Sequence, residues 1–179
     1  TGKDSIFKTK ILFVSDRTSS KKNMRKEIYL MDFDGARKQR ITHKNGMIIS
    51  PVMSPDNTKI LYSILESKWT KFKEGTSVRK VQRINLYLYD LVTKKTRVIS
   101  DLQGINSGAV FNKEGTGVYL TLSNLKNAEI YYIDLKTLQR RRITNHFADD
   151  VDPHINGEGS LMTFLSGRPG KAMIYTLDP

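Results

Sequence analysis

Cysteine is absent from this 179-residue chain, and histidine occurs only three times. Without thiols the chain forms no disulfide and offers no thiolate to a metal or a substrate. No run of about 18 apolar residues occurs, so no helix of the chain is expected to cross a bilayer. The opening residues Thr1-Gly2-Lys3-Asp4 lack the apolar stretch of a signal peptide, and any export signal is expected outside the chain. Catalytic signatures are missing too: there is no Gly-x-Ser-x-Gly elbow, no His-Glu-x-x-His helix and no Gly-rich phosphate loop. We therefore expect no catalytic residue, no cofactor and no resident metal. Negative charge is the scarcer sign, with 18 acidic against 30 basic residues and a formal charge of +12. That balance favours an acidic protein surface, anionic headgroups or nucleic acid as partner. Nucleic acid is set aside, because no recognition helix or RNA-binding motif surrounds the basic residues.

Helical periodicity is nearly absent, and a repeat stands in its place. An aliphatic-aromatic segment ending in Asp returns four times: Ile28 to Asp32, Leu86 to Asp90, Ile130 to Asp134 and Ile174 to Asp178. Upstream of each lies a second apolar segment, at Ile11 to Ser15, Ile60 to Ser63, Val118 to Thr121 and Met162 to Leu165. The spacing is 44 residues from Leu86 to Ile130 and again from Ile130 to Ile174; from Ile28 to Leu86 it is 58, the same period with an insertion. Turns precede the second segment at Ser54-Pro55-Asp56-Asn57, Asn112-Lys113-Glu114-Gly115 and Asn156-Gly157-Glu158-Gly159, with Asn or Gly where a tight hairpin needs positive φ. Short segments closing in an aliphatic and a hydroxyl follow, at Ile41-Thr42, Ile99-Ser100 and Ile143-Thr144. Four short antiparallel strands in about 44 residues is the dimension of a propeller blade. The predicted fold is all-β: a β-propeller of four-stranded antiparallel blades with about four repeats, near 9–53, 54–111, 112–155 and 156–179, in a single partial domain over 1–179.

The repeats resemble the TolB family of WD-like propellers. The residues that carry the resemblance are Ser54-Pro55-Asp56, Ser15-Asp16-Arg17, Glu27-Ile28-Tyr29 and Asp32-Phe33-Asp34-Gly35, with echoes in Ser166-Gly167-Arg168 and Asp152-Pro153. The stretch Ile6 to Val14 is similar to the junction between that family's small α/β domain and its propeller. The resemblance implies a six-bladed ring of which this chain is part. It also implies a non-enzymatic periplasmic scaffold of the Tol-Pal cell-envelope system. Such a scaffold would bind the peptidoglycan-associated lipoprotein Pal and other Tol components, with peripheral membrane association through Pal. Similar repeats occur in prolyl-oligopeptidase-type hydrolases and oligogalacturonate lyases, so the propeller portion of an enzyme is the alternative.

Naming the strands a to d from the centre outward, the order predicts that the first blade lacks strand a and the fourth lacks strand d. In an antiparallel blade the b–c and d–a loops leave from one end. Both insertions fall in b–c loops. One carries Lys21, Lys22, Arg25 and Lys26; the other, over 67–83, carries Lys68, Lys71, Lys73, Arg79 and Lys80, with Trp69 and Phe72 between them. The d–a loop of the last blade adds His146, Asp150, Asp152 and His154, a stretch whose side chains could also suit a cation. Together these residues form the expected partner-binding face around the tunnel mouth. The aromatic columns, Phe13, Tyr62, Leu120 and Phe164 with Tyr29, Tyr87, Tyr131 and Tyr175, are expected in the core, and the Asp column in c–d turns.

Overall fold

The computed structural model describes residues 9–44, 46–71, 78–123 and 127–179, except for the side chains of 67–71 and 78–81. Fourteen strands, and no helix among these residues, make four antiparallel sheets in chain order. The first holds β1 (Lys10–Ser15), β2 (Glu27–Asp32) and β3 (Gln39–Arg40). The second holds β4 (Met47–Met53), β5 (Lys59–Lys71), β6 (Val78–Asp90) and β7 (Thr96–Ser100). The third holds β8 (Asn106–Phe111), β9 (Gly117–Leu122), β10 (Glu129–Asp134) and β11 (Arg140–Arg142). The fourth holds β12 (Asp150–Ile155), β13 (Met162–Ser166) and β14 (Met173–Leu177). Among the described residues the first sheet pairs no strand a and the fourth no strand d, as the strand order predicts. The inner strands are where successive sheets meet: β8 touches both β4 and β12.

Each inner strand carries the same irregularity. The register shifts between Ile49 and Val52, between Ser107 and Val110, and between Val151 and His154. At the bulged position Ser50, Gly108 and Asp152 have φ of 50°, 61° and 53°. A bulge inserts one residue and bends the strand, which turns the inner edge of each sheet the same way despite three different side chains. The predicted a–b turns form as expected, with Asn57, Gly115 and Gly159 at φ of 58°, 69° and 77°. In the first of them the Ser54 hydroxyl donates to Asp56 and accepts from the Lys59 amide at 2.9 Å, and that hydroxyl, then Thr58, holds the Asp56 carboxyl well below the usual range.

Three apolar layers lie between the four sheets. Ile28 and Ile41 pack on Ile48, Ile60 and Tyr62; Leu61, Leu86 and Ile99 pack on Phe111, Val118 and Leu120; Tyr119 and Ile130 pack on Met162 and Phe164. Burying one such aliphatic side chain contributes about 2 kcal/mol. The aromatic columns fall in one register, with Phe13 opposite Tyr29, Tyr62 opposite Tyr87, Leu120 opposite Tyr131 and Phe164 opposite Tyr175. Their burial is less uniform than the pattern predicts. Tyr29 is buried, whereas Tyr87, Tyr131 and Tyr175 are half-buried. The Tyr87 hydroxyl donates to Glu66 of the neighbouring strand at 2.9 Å. In the first and fourth sheets an arginine lies over the aromatic column: Arg17 lies 4.5 Å from the Tyr29 ring centre and Arg168 lies 5.2 Å from that of Tyr175. That is the packing role of the Arg in the Ser-Asp-Arg and Ser-Gly-Arg motifs.

Two expectations need correction. The insertion over 67–83 is not a loop where it is described. β5 and β6 stay in register past the blade body, where Leu65 still pairs with Met47 of β4, and continue from Glu66 opposite Arg83 to Lys71 opposite Val78. Those six extra pairs make a two-stranded arm about 20 Å long at the usual rise per residue. Thr70, Val78 and Val81 supply the β-branched content that favours pairing. Phe72 and Lys73 lie outside the described residues. The Asp column is also mixed. Asp90 accepts from the Val92 and Thr93 amides at 2.9 and 2.7 Å, and Asp134 from the Lys136 and Thr137 amides at 3.0 and 2.7 Å. Asp32 instead pairs with Lys10 and Arg37, because Asp34 takes over the turn by accepting from Ala36 at 2.9 Å.

Candidate protein-binding face

The ends of the b–c loops and the starts of the inner strands are bonded to each other across each sheet boundary. Between the first two sheets the Lys26 amide donates to the Gly46 carbonyl at 2.9 Å, and Ile48 donates back to Lys26 at 3.2 Å. Between the last two, the Asp150 amide donates to Ala128 at 2.8 Å while the Asp149 carboxylate accepts from the Ala128 amide at 2.7 Å. The middle boundary has the longer Ile84 to Gly104 bond, at 3.5 Å. One end of the molecule is therefore built from both loop sets, and its loops are tied to strands on both sides.

A buried carboxylate supports that end in the first and third sheets. Glu27 begins β2 with no exposed surface; it accepts from the Thr42 hydroxyl at 2.5 Å, Arg40 at 3.1 Å and the Lys44 amide at 3.3 Å. Glu129 begins β10 and accepts from the Thr144 hydroxyl at 2.5 Å, Arg142 at 2.6 Å and the His146 amide at 2.7 Å. In both, the threonine hydroxyl also accepts the amide of the next strand residue, Ile28 at 2.9 Å or Ile130 at 3.0 Å. Burial pushes the Glu129 carboxyl up, but the donors Thr144, His146, Arg142 and Asn127 together hold it below its ordinary value. Sequence reading marked Glu27-Ile28-Tyr29 and Arg40-Ile41-Thr42 only as motif fragments. The paired recurrence of Glu and Arg-Ile-Thr at 27–42 and 129–144 was the signal that they act together.

The predicted face residues fall into different surroundings. Lys21 and Lys22 are exposed at the tip of a tight turn closed by reciprocal Ser20 and Asn23 backbone bonds of 3.1 and 3.0 Å. Arg25 and Lys26 are half-buried, and the Ser19 hydroxyl pins Arg25 by accepting from its amide at 2.7 Å and donating to its carbonyl at 2.6 Å. Lys68, Trp69, Lys71, Arg79 and Lys80 sit at paired positions of the arm, Trp69 opposite Lys80. The acidic and imidazole stretch disperses. Asp150 is fully buried and accepts from Arg168 at 2.6 Å, so its carboxylate is withdrawn from the surface. Asp152 and His154 are exposed along β12, and half-buried His146 takes the Ala148 amide on its Nδ1 at 3.1 Å. No three His, Asp or Glu side chains among the described residues converge as a cation site would require. Two apolar side chains on this end went unmarked in the sequence: Phe147, 84% exposed, and Met24, 68% exposed.

Four sheets succeeding one another around inner strands, with a loop-built end, define an array of β-propeller blades. A family model described as the TolB beta propeller domain matches residues 1–179, and the chain belongs to that family. It is 26% identical over 178 residues to a "Protein TolB homolog" of Chlorobium luteolum, covering 99% of this chain and 36% of the relative. A second "Protein TolB homolog", from Chlorobaculum tepidum, is 31% identical over 144 residues, 80% of this chain and 29% of the relative. The chain thus spans about a third of the length of these curated relatives. The crystal structure of TolB from Acinetobacter baumannii superposes with a TM-score of 0.77 at 29% identity, over 99% of this chain and 41% of that one. A solved structure from a study of two prolyl endopeptidases shares the fold alone, with a TM-score of 0.65 at 11% identity over 95% of this chain and 26% of that chain.

Proposed function

We propose that this chain serves as the propeller of a periplasmic, non-enzymatic scaffold of the Tol-Pal system, binding Pal at the end built from the b–c and d–a loops. The observation that carries the reading is the tie between those loops across the sheet boundaries, which makes one continuous face, in a chain whose whole length matches the TolB propeller family. Basic residues dominate two elements of that face: Lys21, Lys22, Arg25 and Lys26 in the first sheet's loop, and Lys68, Lys71, Arg79 and Lys80 on the arm of the second. A face of that sign raises the encounter rate with an acidic partner and screens over about 8 Å at physiological salt.

The test is association kinetics of the full-length protein with purified Pal across a range of salt. The on-rate should fall steeply as salt rises. Replacing Lys68, Lys71, Arg79 and Lys80 with serine should lower it at low salt by about tenfold while the dissociation rate stays close to that of the unaltered protein. Absence of Pal binding at low salt sinks the reading. Binding with a flat salt profile keeps the partner but removes the electrostatic role of the arm.

A further inference from the structure

Phe147 is the most exposed large apolar side chain among the described residues, yet the backbone that carries it is tightly held. On one side the His146 amide donates to Glu129 at 2.7 Å, and Asn127 donates to the His146 carbonyl at 2.5 Å. On the other, the Ala148 amide donates to His146 Nδ1 at 3.1 Å, and the Asp149 carbonyl accepts from the Gly167 amide at 3.0 Å. The phenyl ring lies against its own neighbour, the His146 imidazole, with ring centres 4.2 Å apart, and stays 84% exposed. An aromatic group that the described residues leave uncovered, on a loop bound to two sheets, has lost its backbone freedom before any partner arrives. That is the condition under which a side chain becomes a binding hot spot, because little ordering entropy remains to oppose association.

We propose that Phe147 is the anchor of the binding face: it inserts into an apolar pocket on a folded protein whose surface around that pocket is acidic. The acidic surroundings follow from charge complementarity with the exposed Lys21 and Lys22 and with the arm on the same end of the molecule. The division of labour follows from the physics. Basic residues act over distance and set the rate of encounter, whereas a desolvated aromatic contact acts only once formed and sets the lifetime of the complex. The Glu129 cluster is then a positioning device, since it fixes the backbone on which the ring stands. This proposal rests on the protein-binding reading above.

The experiment compares three forms of the full-length protein against purified Pal in surface kinetics: the unaltered protein, Phe147→Ala and Val92→Ala. Val92 is 75% exposed in a c–d turn at the opposite end, so it controls for the loss of any exposed apolar group. Phe147→Ala should raise Kd at least about tenfold, almost wholly through faster dissociation, with the melting temperature within about 1 °C of the unaltered protein. Val92→Ala should leave both rates unchanged. An unchanged Kd in Phe147→Ala, or an equal loss in both variants, overturns the anchor while the scaffold reading stands. If the unaltered protein itself does not bind Pal, both the scaffold reading and the anchor fall.

Discussion

The boundary after the third sheet and the boundary after the second do the same mechanical job with different chemistry. After the third, the bond network belongs to the sheet that hands the chain on: Glu129 gathers Thr144, Arg142 and the next loop's His146 amide. After the second, that carboxylate is missing, because Asn85 stands where Glu129 would be and Ser100 where Thr144 would be. The network moves to the sheet that receives the chain. Fully buried Asn106, at the start of β8, accepts from the Ser100 hydroxyl at 2.5 Å and donates to the Ile84 and Leu102 carbonyls at 2.8 and 2.7 Å. The displaced Asn85 donates to Glu66 at 3.3 Å instead, alongside the Tyr87 hydroxyl, and so fastens the base of the arm. Blade-to-blade spacing is thus a requirement on polar satisfaction. A repeat meets it with whichever side chain reaches, and a charge is not obligatory.

The sharpest test is to remove one centre from each boundary and measure urea unfolding. Glu129→Leu leaves the Thr144 hydroxyl, the His146 amide and Arg142 without their common acceptor and should cost about 3 kcal/mol. Arg142 is 40% exposed and partly recovers its loss to water, which keeps the figure from rising further. Asn106→Ala should cost about 2 kcal/mol, since it strands neutral groups only. Equal costs would erase the distinction between a carboxylate and an amide centre.

The same comparison has a pH signature. The Glu129 carboxyl titrates below its ordinary value of 4.5 in the folded protein, so it contributes stability that is fully present above that value and lost as pH falls through the folded one. Glu129→Gln should therefore be less stable than the unaltered protein at neutral pH, with the gap closing as the pH drops below 4.5. A gap independent of pH would show that shape, not charge, is what the site supplies. The smallest effect should come from the arm: serine at Lys68, Lys71, Arg79 and Lys80 should change unfolding free energy by less than about 0.5 kcal/mol, as expected of substitutions away from the core. A larger loss would make the arm a structural part of the second sheet.

Local features carried most of the fold into the sequence. The 44-residue period, the hairpin turns at Asn57, Gly115 and Gly159, and the matched columns of β-strand residues all depend on neighbours a few positions away or one strand across. That is why the strand order within each sheet was legible. The extension of β5 and β6 was half legible: its charges were visible, but a lysine-rich stretch reads as a solvated loop unless the pairing of Ser67 with Gln82 and of Lys71 with Val78 is known.

What the sequence determined by itself is the blade, because a blade is made of residues that meet through short hairpins. Only the tertiary structure decided which residues stand free at the loop-built end, because that depends on contacts between loops and strands far apart in the chain. Asp150 reads as a surface acid until Arg168 covers it at 2.6 Å, and Phe147 carries no mark in the sequence until the loop held by Glu129 turns it outward. Burial belongs to the packing of one repeat against the next, and no spacing within a single repeat encodes it.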